Sequence, residues 1–266
     1  MQNILYYRTL RNHEQKPWVT FIHGAGGSSA IWYKQIREFK IHFNILLIDL
    51  RGHGKSQKGM WKKGDDFTEI AQEVIDVHDH LNISSSHFAG ISLGTIVIQS
   101  AARLRPALIS SMLLGGAITK LNAFTRFLLI LGSLGKRILP YMWLYAFFAW
   151  IIMPYSNHKE ARSMFISQAQ TMCQNEFIQW FSLTRFVNPY LKELQKDFHE
   201  IPTLFVMGDE DHLFLSAVKE IAASHKEVKV IYIENSGHVC NTDQPEQFNA
   251  VAIQFIKEKN SLKFVI

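Results

Sequence analysis

The sequence predicts an α/β protein, a mostly parallel, doubly wound sheet with a helical insertion late in the chain. Three observations carry this. Short apolar runs of about five residues alternate with stretches of helical periodicity. The residues of most chemical character follow directly after those runs, where a parallel sheet places its functional loops. The alternation stops over the 84 residues from 117 to 200, which show no strand pattern and hold 16 of the 33 Phe, Trp and Tyr residues.

Taken in order, Trp18 to Ile22 reads as a strand ending at His23-Gly24, and Phe43 to Ile48 as the next, ending at Asp49. Residues 66 to 81 set Phe67, Ile70, Ala71, Val74, Val77 and Leu81 on one helical face. His87 to Ile91 is a strand. Leu93, Ile96, Val97, Ala101 and Leu104 then trace a helix that begins directly after Ser92. Ser111 to Leu114, Thr203 to Met207 and Lys229 to Ile233 complete the strands. Pro245 to Ile256 is a closing helix with Phe248, Val251, Ala252 and Phe255 inward, and Pro245 suits its first turn, where no N–H is needed. The expected division is a core of 1–116 and 201–266 and a cap of 117–200, too long to be a bare loop.

Composition excludes several classes. At 266 residues, 47% hydrophobic and 19% charged, the chain can bury a full core without metal or disulfide staples. The net charge of +5 comes from scattered residues rather than the stripe a nucleic-acid binder needs, so no nucleic acid is expected. Cys173 and Cys240 have no CxxC spacing, which leaves zinc and thioredoxin-type sites unsupported and fits a reducing compartment. No basic start followed by an apolar stretch marks a secretory signal. The expectation is a cytoplasmic enzyme that needs no cofactor or metal.

The sharpest motif is Gly90-Ile91-Ser92-Leu93-Gly94, between a strand and a helix. A tight turn there pushes the serine side chain out at the top of the sheet, and the flanking glycines allow close packing. A serine hydroxyl is a poor nucleophile until a histidine, held by a carboxylate, takes its proton. Of twelve histidines, His238 stands out, in Ser236-Gly237-His238 between the last strand and the last helix. Gly208-Asp209-Glu210-Asp211 follows the strand 203–207 and offers the carboxylate. Asp211 lies 27 residues before His238, so adjacent strand ends can unite them. Asp209 remains the alternative acid, although its expected role is to tighten the turn. Glu210 reads as solvated, His23, Arg51 and His53 as groups that fix loops, and Cys240 as a buried inert thiol.

With Ser92, Asp211 and His238 in that order, the chain resembles the α/β-hydrolase fold superfamily, in its serine esterase and lipase-like branch with a helical cap. His23-Gly24-Ala25-Gly26-Gly27 resembles the family's oxyanion loop after its third strand, and Asp49 to Ser56 the turn after its fourth. Gly208 to Asp211 resembles its acid turn. The resemblance covers about 1–116 and 201–260, and nothing specific matches in the cap. It implies Ser92 as nucleophile, His238 as general acid and base, Asp211 as the group that orients His238, and backbone N–H groups of Ala25 and Leu93 as the oxyanion hole. Two positions depart from the pattern. Thr95 stands where many relatives have a second glycine, and Leu213-Phe214 where many have valine-proline. Serine at 92 argues against the dehalogenase and epoxide hydrolase branches, which use aspartate.

The cap holds an uncharged run from Ile138 to Asn157, but Pro140, Pro154 and its polar end leave only about 13 apolar residues, short for a membrane span. An apolar wall over the site is expected, with Phe147, Phe148 and Trp150 binding substrate. No acid occurs between Asp79 and Glu160, so the cap can also touch anionic lipid peripherally. The activity expected is cleavage of a small carboxylic ester with an apolar acyl or alkyl part. A lactone, thioester or C–C bond hydrolase of the same fold is an alternative, and so is a hydrolase-like protein that binds or signals through a small ligand.

Overall fold

The computed structural model describes residues 4–56, 61–135, 139–184, 187–195, 201–225 and 228–261. Its strands are β1 (Tyr7–Leu10), β2 (Trp18–Ile22), β3 (Asn44–Ile48), β4 (Ser86–Ile91), β5 (Ile109–Gly115), β6 (Thr203–Gly208) and β7 (Lys229–Ile233). They form one sheet in the order β1-β3-β2-β4-β5-β6-β7. β1 runs antiparallel to β3, and every other pairing is parallel. The helices are α1 (Tyr33–His42), α2 (Phe67–His80), α3 (Leu93–Leu104), α4 (Ala123–Gly135), α5 (Tyr141–Ile152), α6 (Lys159–Ala169), α7 (Gln174–Leu183), α8 (Val187–Leu194), α9 (Leu215–Ser224), α10 (Cys240–Asp243) and α11 (Pro245–Ser261).

The central strands are buried on both faces, and the two-residue period of a strand deals their side chains alternately to two cores. Leu46, Ile48, Met112, Leu114, Phe205 and Met207 face α2, α3 and α9, while Ile45, Leu47, Leu113, Leu204 and Val206 face α1 and α11. Helices therefore cover both sides, as the sequence predicts. α2 starts at a capping box in which Asp66 accepts from the Thr68 N–H and Glu69 accepts from the Asp66 N–H. His78 on α2 is fully buried. Its Nδ1 donates to the Val74 carbonyl and its Nε2 accepts from the Thr20 hydroxyl, so burial holds it neutral and pushes its pKa down to about 4.

Four elements lie outside the sequence expectation: β1, α1, α9 and the short α10. β1 is an edge strand with two of its four residues exposed, and α1 buries only Gln35 and Phe39, so neither shows a strong apolar period. Because β1 is the one strand before β2 among the described residues, the 23–27 loop follows the second strand here and the 49–56 turn the third. Between β5 and β6, the described residues hold helices α4 to α8 and no strand.

Candidate active site

The parallel strands β2, β3, β4, β6 and β7 all end on one side of the sheet, and the turns after them converge there. Ser92 follows β4 with φ 55° and ψ −123°, a left-handed conformation that costs a serine on the order of 1–3 kcal/mol and persists only where the surroundings impose it. Close packing imposes it here. A Cβ on Gly94 would meet the carbonyl oxygens of Ile22 and His23 at 2.5 and 2.6 Å, and one on Gly90 would meet Ile98 at 2.5 Å.

Ser92, Asp211 and His238 come together although they lie on three different turns. His238 Nε2 is 2.8 Å from Ser92 Oγ, and His238 Nδ1 is 2.8 Å from Asp211 Oδ2. Asp211 is completely buried and His238 is 2% exposed. The Phe214 N–H donates to Asp211 Oδ1, so both carboxylate oxygens are engaged. The Phe214 ring lies 4.8 Å from the imidazole. Asp209 points elsewhere. It is exposed and accepts from the Ser236 N–H, which ties the turn after β6 to the loop carrying His238. Cys240 is buried, its thiol pushed well up by burial, and donates to the Val206 carbonyl.

The loop bearing Ala25 packs directly on this group, since a Cβ on Gly24 would touch Ser92 Cβ at 3.1 Å. Two histidines hold it. His23 Nε2 accepts from the Leu50 N–H while its Nδ1 donates to the Gly24 carbonyl. His53 Nε2 accepts from the Gly26 N–H while its Nδ1 donates to the Arg51 carbonyl. These roles require neutral rings. Burial pushes both imidazoles down, and the neighbouring His23 helps to take His53 well below the ordinary range. Asp49 closes the next turn by accepting from the Ser29 and Lys55 N–H groups. Arg51 is 6% exposed in its side chain and pairs with Asp65 and Glu73.

The helical segment reaches these loops through contacts that cross long stretches of sequence. The Tyr145 hydroxyl donates to the Ala25 carbonyl, Trp180 Nε1 donates to the Arg51 carbonyl, and Trp61 Nε1 donates to Glu176. His158, just before α6, is fully buried and pairs with Glu210 at 2.8 Å, which corrects the reading of Glu210 as a solvated side chain. Its ring lies against Gly237, where a Cβ would meet it at 2.5 Å. Nearby, burial pushes the Asp243 carboxyl up to about 6, and its Oδ2 accepts from the Gly237 N–H. Nothing in the sequence signals the His158–Glu210 pair, whose partners lie 52 residues apart.

One small space touches Ser92, and a larger one lies past its neighbour Leu93. On the Gly24 and Ala25 side, Met164, Phe165 and Gln168 leave a cleft of about 10 Å³, room for roughly one water. On the other side, Leu93 and Phe214 open into a cavity of about 130 Å³, walled by Phe67, Ile96, Leu128, Phe148 and Ile151 among others and carrying no charged side chain. Of the three aromatic residues expected to bind substrate, only Phe148 lines this cavity. Phe147 is 50% exposed and packs edge-on against Phe148, and Trp150 is 56% exposed beneath the Arg162 guanidinium. The expectation fails for these two because α5 is apolar all round, so its sequence does not mark the inward face. No group of three or more His, Cys, Asp or Glu that could hold a metal is present among the described residues.

Known proteins share the fold. The family model described as "Alpha/beta hydrolase family" matches residues 21–251. The chain is 22% identical to 3-oxoadipate enol-lactonase 1 of Acinetobacter baylyi over 252 residues, 92% of this chain and 90% of that one. It is also 22% identical over 263 residues to an uncharacterized carboxylesterase of Bacillus subtilis, covering 94% of this chain and 82% of the other. Among solved structures, an esterase from Exiguobacterium antarcticum superposes with a TM-score of 0.82 at 16% identity, covering 95% of each chain. With a family match that spans most of the sequence, and a sheet and turns of the expected kind, the chain belongs to the alpha/beta hydrolase family of enzymes.

Proposed function

We propose that the protein is a serine hydrolase that cleaves a small carboxylic ester with an apolar acyl or alkyl part through an acyl-enzyme. The observation that carries this reading is the pair of 2.8 Å hydrogen bonds linking Ser92, His238 and Asp211 beside an uncharged cavity. In this reading Ser92 Oγ attacks the ester carbonyl carbon as His238 Nε2 takes the hydroxyl proton. Asp211 holds the ring through Nδ1–H and stabilises the imidazolium that forms. The backbone N–H groups of Ala25 and Leu93 receive the charge that develops on the carbonyl oxygen, an interaction that strengthens only toward the transition state. The tetrahedral adduct collapses, the C–O bond breaks, and the leaving alcohol takes the proton from His238. A water then gives a proton to His238 and attacks the acyl carbon. The acid departs and Ser92 recovers its proton. The cleft beside Gly24 has room for that water.

The segment 117–200 acts in this reading as a cap on a core of 1–116 and 201–266. Tyr145 and Trp180 tie it to the turns that surround Ser92. The cavity volume supports a short to medium apolar chain, since an engineered pocket of ~150 Å³ holds benzene. Cys173 and Cys240 are both free thiols, which fits work in the cytoplasm. The full-length enol-lactonase relative favours a second reading, lactone hydrolysis. A lactone is a cyclic ester, so the same groups act and the leaving alkoxide stays tethered to the acyl part. Chromogenic esters of graded acyl length, assayed beside small lactones with wild-type and Ser92→Ala protein, separate these readings. Turnover of open esters that the substitution abolishes supports the first. Turnover of lactones alone supports the second, and turnover of neither contradicts both.

A further inference from the structure

The chain exposes its large apolar side chains very unevenly. Ten of the fourteen exposed ones among the described residues lie between 124 and 155. α4 turns Phe124, Phe127, Ile130, Leu131 and Leu134 outward, and α5 turns out Trp143, Phe147 and Trp150 at spacings of four and three, one stripe of a helix. The two helices pack on each other where Gly132 and Gly135 of α4 meet Phe148 and Leu144 of α5. Trp143 is 70% exposed and Leu134 69%, and a contiguous exposed apolar face of this kind marks an interaction surface.

We propose that the α4–α5 face docks on the surface of an anionic phospholipid membrane. The chemistry of the face selects that occupant. Tryptophan and phenylalanine are the side chains that settle at the headgroup boundary of a bilayer. The stretch from residue 80 through Lys159 holds no Asp or Glu, and of its seven Lys and Arg, Arg105 pairs with Asp79 and Lys120 with Glu220 from outside it. Arg126 projects from α4 among the apolar residues, exposed. A second copy of this chain fits less well, because a contact over this face buries the Arg126 charge and the stretch from 80 to 159 offers no acid to pair with it. The mode is peripheral. α5 is 12 residues long, roughly 18 Å, against a hydrocarbon core of about 30 Å, and no helix among the described residues is long and apolar enough to cross a membrane.

The face also lies beside a way into the site. A groove of about 630 Å³ runs past Arg126, Ile130, Leu134 and Phe181, and it shares Leu121, Leu129 and Val187 with the apolar cavity that ends at Leu93 and Phe214. On the ester-hydrolase reading given above, this route would bring an apolar substrate from the membrane as far as Leu93, the neighbour of Ser92.

Vesicle cosedimentation of the full-length Ser92→Ala protein tests the docking apart from any turnover. Vesicles of phosphatidylcholine alone are compared with vesicles that also contain phosphatidylglycerol. The expected result is partition about tenfold stronger onto the anionic vesicles, weakened by high salt, and reduced about tenfold by Phe127→Ser together with Trp143→Ser. Neither of those residues lines the groove or the cavity. Quenching of the parent's tryptophan fluorescence by brominated lipid, diminished in Trp143→Phe, gives a second reading that does not depend on the serine variants folding. Failure to bind either vesicle, or equal binding by parent and double variant, overturns the proposal. So does a dimer in light scattering that the double variant dissolves while vesicles are ignored. Loss of ester hydrolysis as a function leaves the vesicle result standing, so the two readings fail separately.

Discussion

The turns at the strand ends and the helices between β5 and β6 solve opposite problems. Around Ser92 nearly every side chain is committed. Asp49, Asp211, His23 and His53 are buried with their polar atoms engaged by named partners, and Ser92 is held in a left-handed conformation by packed neighbours. Along α4 and α5 apolar residues point both inward and outward, and the few polar ties are long-range ones such as Tyr145 to Ala25. The first region is rigid by hydrogen bonding, as reacting groups require. The second is a shaped apolar surface with few polar ties. On the proposed reading, the turns hold the reacting groups and the helices choose the substrate.

If the turns carry the chemistry, the two aspartates of the 208–211 turn must differ sharply. Asp211→Asn removes the acceptor of the His238 Nδ1 proton and should lower kcat on the order of 10⁴-fold. Asp209→Asn touches only the Ser236 N–H and should stay within about tenfold. Ester kinetics on the two variants decide it, and the reverse order would move the acid role to Asp209.

The buried histidines give the next effect in size. Unfolded, they protonate near 6.5, whereas folded His23, His53 and His78 are held neutral by burial, His78 down to about 4. Below 6.5 the unfolded chain binds more protons than the folded one. Stability is therefore full above 6.5 and is lost as pH falls toward 4. Asp243 opposes this, because with its carboxyl raised to about 6 the folded state binds the extra proton between its ordinary 3.8 and 6. Glu73, whose carboxyl burial also raises, acts in the same sense as Asp243, but three histidines outweigh two carboxylates, so Tm should fall by about 5 °C or more between about pH 7.5 and about pH 5. A flat melting profile over that range would contradict the neutral roles assigned to His23 and His53.

A smaller effect sharpens the comparison from the side of the helices. Phe148→Ala enlarges the cavity and should shift the preferred acyl chain upward, at about fourfold in kcat/KM per methylene accommodated, the equivalent of ~0.8 kcal/mol. Phe147→Ala and Trp150→Ala should leave the chain-length profile within about twofold. All three profiles unchanged would show that the cavity does not hold the acyl chain.

The difference between the regions also explains what could be read from the sequence. β2 and β7 have the bounds that their apolar runs suggest, and the strands' short length and glycine-marked ends made them legible. Ser92, Asp211 and His238 could be found because each sits in a turn whose backbone demands particular residues. β1 and α1 stayed hidden because they are half exposed. The inward face of α5 could not be chosen, since Phe147, Phe148 and Trp150 are equally apolar and only tertiary packing separates them. His158 and Glu210 meet across 52 residues through a fold that no local pattern announces.

The most direct test of the covalent chemistry assigned to Ser92 is intact-protein mass spectrometry after exposure to a fluorophosphonate, followed by peptide mapping. A serine activated by His238 displaces fluoride and retains the phosphonyl group. The account predicts one adduct per chain, located on Ser92, absent from Ser92→Ala and slowed by Asp211→Asn. No adduct on the folded wild-type protein, or an adduct on another side chain with Ser92 untouched, would contradict it.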